Sequence, residues 1–291
     1  MTWTAYCVVF RLHSPMHIGC GKVGNVQRTR PYVTGRVFWG ALTMRLTRDW
    51  CEKENKPATD SRDYYDPENR QGFGNKVHDQ LAYTYFYPAI AKPKANHSEG
   101  YEIAFPWQNE SQFRRRFLSS YASTALVYPQ QVADEGLLHE VEFLSPRTLD
   151  EGKQVYLIGY VFEKTACDSK WKNACQKLQM GGERGYGWGD VQCVEVKPLE
   201  NHDLFAGTAS FNGDGDRPIV HLTEYLLAHA ASTNLSATGE IEPLVGREWK
   251  ESHQAGQHVE KFGDICWIPG SVVERSLDFM IRDFGIWYLP P

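Results

Sequence analysis

The segment Gly181-Gly182-Glu183-Arg184-Gly185-Tyr186-Gly187-Trp188-Gly189 sets one guanidinium and two aromatic rings among five glycines. Glycines let backbone N–H groups come close to a ligand, and an arginine pairs with phosphate. Tyr186 and Trp188 can stack on bases, or pack into a core across an irregular connection. The spacing is not a Walker loop, which needs Gly-Lys-Ser/Thr. It is not a dinucleotide fingerprint either, because that motif follows a strand and opens a helix. A second donor-rich segment, from Gly19 to Arg30, carries Lys22, Arg28 and Arg30 and no carboxylate. A polyanion could lie there without repulsion.

The 291 residues sum to a charge of −5, but the charge is unevenly spread. Residues 1–50 carry Arg11, Lys22, Arg28, Arg30, Arg36, Arg45 and Arg48 against Asp49 alone, a balance of +6, and the rest carries −11. Such a cluster suits phosphate oxygens, or else an acidic surface of the same chain. The overall acidity excludes only a uniformly basic nucleic-acid binder. His13 and His17 could serve in acid–base chemistry, but no partner residue is evident, and loop histidines that bond locally or touch RNA are preferred. Their spacing flanks a turn, not a helix face, so no metal pair is assigned. Asp214 and Asp216 read as a polar turn, and Arg114 to Arg116 as a solvated face that could touch RNA or a neighbour. No cofactor is expected. Seven cysteines without a C-x-x-C read as free thiols in a reducing compartment. No signal peptide or long apolar run is evident, so a cytoplasmic location is expected.

These groups need elements to position them. Tyr6, Val8, Phe10 and Leu12 alternate, which predicts a half-buried strand over residues 4–12. Residues 16–35 read as a loop. Phe38, Leu42 and Leu46 predict a helix over 36–50. Residues 51–75 read as an exposed polar insertion, and 81–90 as strand-like. Strands are predicted over 155–163 and 191–196, with a helix over 169–180 stopped by Gly181. Residues 224–231 and 277–284 read as helical. The order is that of a split β-α-β, ferredoxin-like (RRM-like) α+β fold over residues 1–197, with an insertion at about 51–150 and a second lobe over 198–291. A weak echo at an offset of 235, pairing Gly35, Val37, Leu42 and Leu46 with Gly270, Val272, Leu277 and Ile281, leaves open a second ferredoxin-like lobe.

The segments Leu12-His13-Ser14-Pro15-Met16-His17-Ile18-Gly19-Cys20-Gly21 and Arg30-Pro31-Tyr32-Val33-Thr34-Gly35-Arg36-Val37-Phe38-Trp39-Gly40-Ala41-Leu42 resemble the opening of CRISPR-associated RAMP proteins. Thr34 and Arg36 stand where that family usually has Pro and Ser. Residues 181–189 resemble its glycine-rich loop. The resemblance implies a subunit of a type III effector complex that binds CRISPR RNA through Lys22, Arg28, Arg30, Arg36, Arg45, Arg184, Tyr186 and Trp188, beside Gly181, Gly182, Gly185, Gly187 and Gly189. Its implied partners are the large polymerase-like subunit and backbone RAMP subunits, with target RNA met indirectly. Target-cleaving backbone subunits carry an Asp in the first loop, and His13 to Gly35 contain no Asp or Glu. A non-catalytic subunit capping the 5′ handle is therefore expected. The alternatives are a non-cleaving backbone subunit and an endoribonuclease that processes CRISPR RNA. A reading apart from RNA, a scaffold whose basic patch meets a protein, stays open.

Overall fold

The computed structural model describes residues 2–92, 100–249 and 258–291. Its first sheet places the Val191–Pro198, Trp3–Leu12, Val155–Lys164, Tyr87–Ala91 and Tyr101–Ile103 strands side by side in that order. All these pairings among the first four are antiparallel. This is the order that two interlocked strand-helix-strand units produce, and the α+β reading holds. The Gly35–Lys53 helix lies on one face of the sheet and buries Phe38, Leu42 and Leu46 against Val8, Phe10 and Leu12.

The strand Trp3–Leu12 is buried on both faces, not one. Its other face, Trp3 and Ala5, packs into a second apolar cluster with Leu222, Phe279 and Trp287. Residues beyond 203 supply this cover as an eight-stranded sheet. Sequence alternation could not show it, because Trp3, Ala5, Cys7 and Val9 are interleaved with a face that is itself apolar.

Several expectations are corrected here. Residues 16–35 are not a plain loop: Gly19–Val23 and Val26–Thr29 form a hairpin. The helix expected over 169–180 is one turn, Trp171–Ala174, followed by a 3-10 turn. Residues 51–75 are not wholly exposed: Cys51 and Ser61 are buried, and Tyr65 and Phe73 pack against the main core. Residues 224–231 are not helical. Leu226 to Ala230 are all buried; the Leu226 N–H donates to the Ser271 carbonyl, the Leu226 carbonyl accepts from the Gly270 N–H, and only Ala230–Ala231 is a strand. A continuous apolar run does not distinguish a buried strand from a helix. Leu277–Ile281 is a strand paired with Ile219–Leu222. The echo at offset 235 therefore aligns a helix with strands, and it does not mark a repeat. The described part of 198–291 holds no α-helix.

The Gly72–Gln80 helix buries His78. Its ring stacks on Trp39 at 5.1 Å and meets Phe284 edge-on at 4.6 Å. Neither ring nitrogen has a hydrogen-bond partner among the described residues, and burial pushes the pKa down from 6.5 to about 4. The unfolded chain takes up a proton below pH 6.5 that the folded chain refuses until about pH 4. Stability should therefore fall across that window by up to ~3 kcal/mol. Urea unfolding at pH 7 and pH 4.5 checks this, and His78→Phe should flatten that part of the difference.

Candidate nucleic-acid interface

The two glycine-bearing segments meet in space. The Gly182 N–H donates to the His17 carbonyl at 2.8 Å, and the Gly189 N–H donates to the Pro15 carbonyl at 2.7 Å. The Asp190 N–H donates to Ser14 Oγ at 2.9 Å. Gly189 has φ of +78°, and a Cβ there would sit 1.8 Å from the Met180 carbonyl oxygen. Only glycine fits such a position.

This staple closes one wall of a groove of about 580 Å³. The floor is one face of the Gly35–Lys53 helix, with Arg36, Gly40, Met44 and Arg48 succeeding one another every four residues. Gln179, Gly181, Gly182, Arg184 and the His17–Gly19 turn form the first wall. The opposite wall is Ser61, Tyr64 and Tyr65 with Arg247, Glu248 and Trp249. Tyr65 packs edge-on against Trp39 at 5.0 Å, and Tyr64 lies 5.1 Å from the Trp249 ring.

The expected RNA-contacting arginines divide sharply. Arg28 binds Glu142 at 3.0 Å, and Arg114 binds the other oxygen of the same carboxylate. Arg30 makes a two-pronged pair with Glu242 at 2.7 and 2.9 Å. Arg36 is paired with Glu248 and lies 4.0 Å over the Phe262 ring. Arg45 is paired with Asp49 at 2.6 Å and with Glu52 at 3.1 Å. The anions missing from the N-terminal segment thus come from distant parts of the chain for Arg28, Arg30 and Arg36. Arg116 of the other basic run likewise meets Asp150 and Glu151.

Of the residues expected in the interface, Arg36, Arg184, Gly181 and Gly182 line the groove, and Arg28, Arg30, Arg45, Tyr186 and Trp188 do not. Arg184 is exposed and touches Met44 Sδ at 3.3 Å. Lys22 is exposed on the hairpin, with no ion pair among the described residues. Tyr186 is 83% exposed beyond the groove. Trp188 packs edge-on to Phe143 at 5.1 Å, and Gly185 and Gly187 face open space. Sequence reasoning counted Arg48 in the basic segment without assigning it to the interface, left Tyr64 and Tyr65 open between an interface and a local core, and passed over Trp249. The helical spacing of Arg36, Gly40, Met44 and Arg48 was the available signal for the first. The other three arrive through tertiary contact.

His17 is buried, and its Nδ1 lies 2.7 Å from the Glu142 carbonyl. A carbonyl only accepts, so Nδ1 carries a proton, and in the neutral form of the ring Nε2 is the acceptor. His13 lies 3.3 Å from Asp190 and is not near His17's partners.

Beside the groove, Glu242 anchors a buried chain. His229 Nε2 lies 2.5 Å from Glu242, and Tyr85 Oη lies 2.6 Å from His229 Nδ1. Burial opposes the charge on Glu242, but hydrogen bonds from His229 and Arg30 outweigh it and hold the carboxyl at about 2. Burial lowers the His229 pKa. The ring is therefore neutral, donating from Nε2 to the carboxylate and accepting the Tyr85 hydroxyl at Nδ1.

The sheet order and the glycine loop clamped beside the first helix define a class: α+β chains built on a strand-helix-strand unit with an open groove at its first helix. The family model of the RAMP superfamily matches residues 9–192, and the chain belongs to that superfamily. No curated protein matches. Among solved structures, a chain of the type III-B Cmr-beta complex bound to cognate target RNA and AMPPnP is 9% identical, with a TM-score of 0.49 over 92% of this chain and 85% of that one. A chain of Cmr-beta bound to cognate target RNA is 10% identical, with a TM-score of 0.39 over 67% and 96%. A chain of a type IV-B CRISPR complex is 15% identical, with a TM-score of 0.38 over 66% and 90%. No helix among the described residues is long and apolar enough to cross a membrane.

Proposed function

We propose that this RAMP chain is a non-catalytic, cytoplasmic subunit of a type III CRISPR RNA-guided effector. It holds CRISPR RNA at the 5′ handle and docks the large polymerase-like subunit and backbone RAMP subunits. The observation that carries the reading is the groove. Among the described residues, Arg48 and Arg184 stand in it without an ion pair, and the one carboxylate lining it, Glu248, is paired with Arg36. Arginines beside glycine backbone hold a phosphodiester chain without reading base edges. The experiment is RNA affinity against salt. Arg48→Ala with Arg184→Ala should weaken binding of repeat RNA and reduce the salt slope by ~1–2. Arg28→Ala with Arg30→Ala should lower stability more than the slope. An unchanged slope in the Arg48/Arg184 variant overturns the assignment.

A second reading, an endoribonuclease, draws on His17. Its Nε2 is an acceptor at the groove, the form a general base requires. Incubation of the protein with repeat RNA, with and without magnesium, distinguishes the two readings. Specific cleavage that is lost in His17→Ala would establish the second.

A further inference from the structure

Gly40 sits in the middle of the Gly35–Lys53 helix, where glycine costs about 1 kcal/mol relative to alanine. Its φ is not positive, and a Cβ added there would meet nothing within 4 Å. No turn, close approach or packing contact among the described residues therefore calls for glycine. This differs from Gly35, where a Cβ would lie 2.1 Å from the Phe284 carbonyl oxygen, and from Gly74, where it would lie 2.6 Å from Trp39. What Gly40 does have is a place on the groove floor, between Arg36 and Met44.

The floor at Gly40 is bare helix backbone, and the wall facing the glycine loop is aromatic. Trp39 is fixed by its indole N–H, which donates to the Gly74 carbonyl at 3.1 Å. Tyr65 packs against Trp39, and Tyr64 against Trp249. Thr43 lines the same groove, is 3% exposed, and its Oγ1 has no hydrogen-bond partner among the described residues. Arg184 and glycine backbone stand on one side, then, and aromatic rings, with the Arg36–Glu248 pair beside them, on the other. The volume, about 580 Å³, lies in the range of small-ligand sites.

Resting on the RNA-binding reading, we propose that this half of the groove is a nucleobase subsite. One unpaired base of the bound RNA turns away from the Arg48–Arg184 side and lies over Gly40 between the helix and the Tyr64–Tyr65–Trp249 wall. The missing Cβ lets the ring rest against the helix. The preference is for an unpaired base, since a paired one cannot present its face to the wall.

The test compares a uridine decamer and an adenosine decamer with an abasic ribose-phosphate decamer, in anisotropy titrations of the full chain. The wild type should bind at least one base-bearing decamer about fivefold or more tighter than the abasic one, the lower end of a stacking contribution. Gly40→Ala should leave the melting temperature unchanged or raise it, because the methyl has open space. It should erase the base-bearing advantage while sparing abasic binding. Trp249→Leu should do the same. Overturning results are equal binding of base-bearing and abasic decamers by the wild type, or a Gly40→Ala protein that keeps the advantage. If that happens while Arg48→Ala with Arg184→Ala still weakens all three decamers, only the subsite fails. If the wild type binds none of them, the RNA-binding reading fails with it.

Discussion

Glu242→Ala is expected to lose about 2–3 kcal/mol of folding stability, because it leaves a buried histidine and a partly buried arginine without their acceptor. The reason lies in what the carboxylate leaves behind. Arg30 keeps its charge, with its side chain 17% exposed, and His229, 1% exposed, loses the acceptor of its Nε2 proton. Glu242→Gln keeps the shape but not the charge, and should fall between alanine and the wild type. The wild type should also be acid-sensitive here. The carboxyl goes from 4.5 in the ordinary case to about 2 in the fold, so its stabilisation is complete above pH 4.5 and lost as pH falls toward 2. Urea midpoints at pH 7 measure the first effect. A midpoint for Glu242→Ala within ~0.5 kcal/mol of wild type, the scatter of an ordinary surface change, would show that the network is not holding the hairpin to the sheet.

Gly189→Ala is the second large effect. The new methyl would overlap the Met180 carbonyl at 1.8 Å, in backbone of φ +78°. The chain must move, and moving it breaks the Gly189 N–H bond to Pro15 and the Met180 N–H bond to Gly189. We expect about 3 kcal/mol or more of lost stability, with weakened RNA binding because the wall holding Arg184 is no longer seated. Gly185→Ala is the matched control. It has open space and no positive φ, so it should change stability by less than about 0.5 kcal/mol. Thermal melts of the two variants side by side check the pair, and equal melts would remove the staple from the account.

The first-sheet strands at 3–12, 87–91, 155–164 and 191–198 were legible in the sequence because their apolar residues alternate or run continuously for ten residues or fewer, whereas the three-residue edge strand Tyr101–Ile103 was too short to read. The first helix was legible through Phe38, Leu42 and Leu46. The C-terminal sheet was not. Residues 224–231 are apolar enough to satisfy either period, and their non-helical path is held by bonds to residues 270, 271, 273 and 287. The hairpin over 19–29 was hidden because glycines weaken a strand signal, while its pairing with residues 140 and 141 is distant in sequence.

The candidate site divides along the same line. The sequence by itself determined that a basic N-terminal segment and a glycine-rich loop exist, and that the first loop has no carboxylate. Glycine content and local charge belong to the residues themselves, so no fold is needed to read them. Which cations remain available was decided only by tertiary structure. Glu142, Glu242 and Glu248 come from more than a hundred residues away to neutralise Arg28, Arg30 and Arg36. Arg48 and Arg184 meet no such carboxylate among the described residues. A charge acts through distance in space: the four-stranded sheet of the hairpin brings Glu142 to Arg28, and the eight-stranded sheet packed across the first brings Glu242 and Glu248 to Arg30 and Arg36.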